Sequence, residues 1–166
     1  LHPYEHGSGG QQITPKVLLI EDADSWATGY QNEVVLNSLN IPYTRIYSNQ
    51  LAQTDLYQYT HIIIPSDQPQ AMYNNLDLNM NRITGWVQDG GSFQFNGCDV
   101  GWAGGHWTYG PGSLAHVYPV YRQQNYIKAP DHPILQGMTN SNFYNWNYVS
   151  HGYFTNVPAN SRTLLS

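Results

Sequence analysis

Cysteine occurs once in this 166-residue chain, at position 98, inside the stretch GGSFQFNGCDVGW (residues 90–102). SFQFNG reads as a strand that stops at a glycine, so Cys98 stands where a strand hands over to a turn. A thiol becomes a nucleophile when a helix N-terminus or a neighbouring imidazole lowers its pKa and the backbone presents sulfur to a pocket. Cys98 has the topological address for that. The imidazoles that could serve it are His106 and His116, nearby in sequence, and His132 and His151 further on. The competing reading is a buried and inert cysteine, since this residue type is among the most buried. Acids gather at equivalent places: Asp22 and Asp24 after KVLLIE, Asp67 after HIIIPS, and Asp99 beside the cysteine. They could line a site, or they could cap helices and fill turns, as aspartate often does.

The elements that would position these residues begin at Lys16. KVLLIE (16–21) is a short continuous apolar run with polar borders, the pattern of a strand buried on both faces of a parallel sheet. Asp22, Asp24 and Ser25 can cap a following helix, with Tyr30, Val34, Val35 and Leu39 as its inward stripe and Asn40-Ile41-Pro42 as its stop. YTRIYS (43–48) and HIIIPSD (61–67) read as the second and third strands. Leu76, Met80, Ile83 and Val87 recur at helical spacing and end at Asp89-Gly90-Gly91, and residues 92–97 form the fourth strand.

Strands alternating with helices imply right-handed crossovers and an open, doubly wound parallel sheet of the flavodoxin-like α/β class, with about five or more strands. In such a sheet ligands bind beyond the carboxyl ends of the strands, which is where Asp22, Asp24, Asp67, Cys98 and Asp99 collect. The second half is irregular and rich in glycine and aromatics. WAGGHWTYGPGSLAH reads as a long surface loop, residues 117–123 as a strand, and APDHPILQGM as a turn with a short helical piece. Residues 145–154 read as an extended segment and RTLLS as the opening of a last strand. Residues 1–15 are polar, Gly-rich and aperiodic, an extended arm or linker before a single domain over 16–166. A strand opening at the end of the chain leads us to expect the natural polypeptide to continue past Ser166.

The order KVLLIEDAD, helix, HIIIPSD, helix, ITGWVQDGGSFQFNG, then DHPILQGM and SHGYF resembles the class I glutamine amidotransferase-like superfamily, in particular its trehalose-utilisation-type and uncharacterised secreted branches. The resemblance covers residues 16–166 and implies a flavodoxin-like fold. In the amidotransferases proper, a Gly-x-Cys-x-Gly elbow follows the strand after the second such helix, and a later His-Pro-Glu completes a triad. Cys98 occupies the matching strand end, and His132-Pro133 matches the His-Pro pair. Gly97 directly precedes Cys98, Gly101 lies three residues beyond it, and Ile134 stands where the glutamate would be. An isoleucine neither orients nor charge-stabilises a histidine, so the resemblance implies a lineage with a broken triad.

Charge narrows the partners. A net charge of −5, with only six Lys plus Arg and no basic run, lacks the footprint of nucleic-acid binding. No apolar run approaches the roughly 18 residues of a membrane span. Few lysines, many tyrosines and amides, and a start at Leu1 with no charged or apolar leader suggest a secreted or cell-surface protein whose signal peptide is already removed or excluded. Trp102, His106, Trp107 and Tyr109 cluster in the long loop, where aromatics beside amides could stack on a sugar ring or pack in a protein interface. The histidines and acids match no ligand spacing, so neither a metal nor a cofactor is expected. The leading functional expectation is a non-catalytic extracellular or cell-surface domain acting in binding or self-assembly, with a protein partner or a second copy as its target. A hydrolase or amidotransferase-like enzyme with Cys98 as nucleophile and His132 or His151 as base, and a carbohydrate-binding domain, are the alternatives.

Overall fold

The computed structural model describes residues 14–97, 101–107, 110–118, 120–145, 150 and 152–166. It divides into two compact units, Leu1–Gly105 and His106–Ser166.

The first unit is a flavodoxin-like α/β layer structure. Its order is β1 (Val17–Ile20), α1 (Gln31–Ser38), β2 (Tyr43–Ile46), β3 (His61–Ile64), α2 (Gln70–Leu78), α3 (Met80–Gln88) and β4 (Ser92–Phe95). The strands are all parallel, in the order β2-β1-β3-β4. Register runs from Val17 beside Tyr43 on one side and His61 on the other, and from His61 beside Ser92. The chain leaves β1 for β2 in one direction and β3 for β4 in the other. Right-handed crossovers therefore set α1 on one face and α2 with α3 on the opposite face. All four residues of β1 are buried, as are Ile62 and Ile64 of β3, because both strands have neighbours on each side. Met72, Tyr73 and Leu76 of α2 and Ile83 and Trp86 of α3 complete this core.

Three sequence expectations are corrected here. The inward stripe of the first helix is not Tyr30, Val34, Val35 and Leu39: the last three are more than half exposed, Tyr30 is exposed at the N-cap, and Leu36 alone is buried. With this phase Glu33 faces the sheet, where Arg45 of β2 lies 3.5 Å from one of its carboxylate oxygens and 3.5 Å from one of Glu21, while Val34 and Val35 face away. The second helix is two helices broken at Asn79. Its buried side chain donates to Asn75 O and accepts from Arg82, whose guanidinium also donates to the carbonyls of Leu51 and Thr54. Finally, among the described residues the parallel sheet has four strands, not five or more.

The second unit carries a separate antiparallel pair, β5 (Ala115–Val117) with β6 (Tyr153–Thr155). The strand expected at 117–123 thus lies slightly earlier. Beyond it Arg122 bridges to Ser150, Gln124 to Tyr144 and Ile127 to Leu165, so RTLLS does pair as extended chain. The helical piece in APDHPILQGM is a single 3-10 turn, Pro133–Leu135.

Candidate functional site

The carboxyl edge of the parallel sheet is built from the loops after β1, β3 and β4, which meet where the strand order reverses. Gln68, fully buried, is the hub. Its Oε1 accepts from the backbone N–H of Asp22 and Ala23 at 2.9 and 3.1 Å, while its Nε2 donates to Ala23 O and Ser66 O. One amide thereby satisfies the turn after β1 and the turn after β3 together, which buried backbone groups require.

Of the acids expected here, Asp22, Asp24 and Asp67 are among the described residues, and all three accept hydrogen bonds from the loops. Asp22 takes both the N–H and the hydroxyl of Ser48 at 2.6 Å, and Asn75 Nδ2 donates to the same hydroxyl at 2.8 Å. Asp24 accepts from Gly29 N and Tyr30 N. The Tyr30 N–H, with Gly29 adding to it, holds the Asp24 carboxyl below the usual carboxylate range. Asp67 is buried, with φ of 53°, and clamps two loops: its Oδ2 accepts from Trp26 N at 3.0 Å and its Oδ1 from Ala103 N at 2.8 Å. Gly101 makes this closure feasible, since a Cβ there would lie 2.2 Å from Asp67 Oδ1 and 3.0 Å from the Trp26 ring.

Sequence reasoning passed over three residues at this edge. Trp26 has φ 56° and Ala27 φ 50°, a left-handed pair that non-glycine residues adopt only when the surroundings impose it. Trp26 Nε1 donates to Ser66 Oγ, and the Trp26 ring meets Trp102 edge-on at 5.6 Å and 78°. Gln68 is the second. Glu21 is the third: fully buried, it receives no hydrogen bond on either carboxylate oxygen from the described residues, and Arg45 is its ion-pair partner. Burial, then repulsion from Glu33, pushes its pKa from 4.5 up to about 7 against the pull of Arg45. A tryptophan two residues beyond the strand-end acid Asp24 was the legible signal for Trp26; Glu21 closes the KVLLIE run without a break in pattern.

Cys98, Asp99, Tyr109 and His151 lie outside the described residues. Trp102 is 77% exposed. In the second unit His106 is exposed and Trp107 buried. His132 caps its 3-10 turn, with Nδ1 accepting from Ile134 N at 3.3 Å. In the neutral ring that bond places the proton on Nε2, leaving Nε2 without the lone pair that a general base needs. Among the described residues no three His, Cys, Asp or Glu side chains converge as a metal site, and no helix is long and apolar enough to cross a membrane.

Comparison with known proteins gives one long match. An uncharacterised protein of Clostridium acetobutylicum is 34% identical over 146 residues, 88% of this chain and 15% of that protein. The chain therefore spans about one seventh of that relative's length. No family model and no solved structure matches.

Proposed function

We propose that this chain is a non-catalytic binding or assembly domain of an extracellular or cell-surface protein. The observation that carries the reading is the use of Asp22, Asp24 and Asp67 as acceptors for backbone N–H groups at the edge where this fold ordinarily exposes reactive groups. An acid that must hold two loops together is a poor proton shuttle, because protonation would break the loops. The same proposal takes the chain as an amidotransferase-like domain with a broken triad. His132 Nδ1 accepts from the Ile134 N–H, and Ile134, where a triad carboxylate would stand, is exposed.

Surface composition supports association. Val34, Val35 and Leu39 of α1 and Tyr47 beyond β2 are each about half exposed or more, and Tyr57 is exposed as well. Low charge removes part of the repulsion that keeps copies apart. Molar mass by light scattering across a wide concentration range tests this. Mass rising with concentration, and falling back when Leu39 and Tyr47 are replaced by Lys and Ser, is the expected result. A strictly monomeric chain at the highest reachable concentration would remove self-assembly.

A further inference from the structure

The least explained feature of the first unit is the tryptophan pair at the switch edge. Trp102 is 77% exposed, so its indole contributes little to the core. Its loop is nevertheless immobilised by three devices: the Asp67 acceptor for Ala103 N, the Gly101 backbone closing on Asp67 and Trp26, and the edge-on contact of Trp26 itself. Trp26 is in turn presented through a left-handed backbone conformation that costs free energy and is held by Asp67 Oδ2 and Ser66 Oγ. A large aromatic kept rigid yet left in solvent is arranged to meet something outside the chain.

From this we infer that Trp102, braced by Trp26, is a stacking platform for a neutral, gluco-configured pyranose ring of an oligosaccharide. Such a ring carries its hydroxyls equatorially and presents flat C–H faces, which suit an exposed indole. Serine and aspartate side chains around the pair offer its rim hydroxyls hydrogen-bonding partners. Ser66 Oγ accepts from Trp26 Nε1 and still carries its own hydrogen, and the Asp24 carboxylate lies two residues before Trp26. Asp24 stays ionised, and the chain carries a net charge of −5, so polyanionic glycans are disfavoured. The platform deepens the binding function proposed above and rests on it.

The test titrates the chain with cellohexaose, chitohexaose, maltohexaose and polygalacturonate, read by calorimetry and tryptophan fluorescence. The cello and chito arms distinguish a glucan from an N-acetylated source. Expected is binding of at least one of the three neutral hexasaccharides with a change in fluorescence. Trp102→Ala should weaken it about tenfold or more, and Trp102→Phe less. Because Trp102 is exposed, the alanine variant should keep the wild-type unfolding midpoint. Gly101→Ala, which retains both indoles but forces the loop off Asp67, should weaken binding too. No binding of any of the three neutral hexasaccharides, undiminished affinity in Trp102→Ala, or preference for polygalacturonate would overturn the platform. Trp102-dependent binding accompanied by release of shorter sugars would uphold the platform and sink the non-catalytic reading. Absent glycan binding in a chain whose mass rises with concentration would do the reverse.

Discussion

Replacing Glu21 by Gln should stabilise the protein at neutral and alkaline pH and do little in acid. Glu21 is fully buried, both carboxylate oxygens lack hydrogen-bond donors among the described residues, and Glu33 shares its one cationic partner, Arg45. Its pKa therefore rises from 4.5 to about 7 in the folded chain. Between those values the folded state holds a proton that the unfolded state has released. Stability must then fall as pH rises through that window and level off above about 7. The interval of about 2.5 pH units, at about 1.4 kcal/mol each, amounts to about 3–4 kcal/mol. Glutamine keeps the volume and never ionises, so the variant should match wild type near pH 4 and exceed it by about 3–4 kcal/mol near pH 8. Urea unfolding of both proteins at about four pH values across that range measures the difference. A difference that does not change with pH, or a wild type that is the more stable near pH 8, would refute the reasoning. The second result would mean that Arg45 more than offsets the desolvation of the carboxylate.

Further outcomes follow from the same geometry. Asp67→Ala leaves the N–H groups of Trp26 and Ala103 without their acceptor and should cost about 2–4 kcal/mol by chemical denaturation, whereas Asp67→Asn, which keeps one carbonyl oxygen and tolerates the positive φ, should cost less. Gly91→Ala sets a methyl 2.4 Å from the buried Trp86 ring and should cost about 1–3 kcal/mol, with altered tryptophan fluorescence. On α1, Leu36→Ala should cost about 2–3 kcal/mol, while Leu39→Lys should change stability by about 0.5 kcal/mol or less; the reverse order would restore the helix phase read from the sequence.

Legibility in the sequence followed the locality of the cause. VLLI and III announce β1 and β3 because a strand flanked on both sides is largely apolar, and alternation with helices then implies parallel pairing with right-handed crossovers. The phase of α1 was hidden because the partner of its inward Glu33, Arg45, lies twelve residues away on β2, and the break at Asn79 because its satisfaction comes from Arg82, which also binds the carbonyls of residues 51 and 54. Strand-end acids could be located but their role could not, since Asp67 binds Trp26 and Ala103 from opposite directions along the chain. In the second unit pairings such as Ile127 with Leu165 join residues far apart, and no local period signals them.

Whether the domain does chemistry is tested most directly by the alkylation rate of Cys98 with iodoacetamide, measured from about pH 5 to pH 10 in the native and the unfolded chain. With a non-catalytic domain, the native thiol should react no faster than the unfolded one and titrate at or above the reference of about 8.5. A native rate above the unfolded rate, with an apparent pKa well below that reference, would mean an activated thiolate and would contradict a binding domain without catalysis.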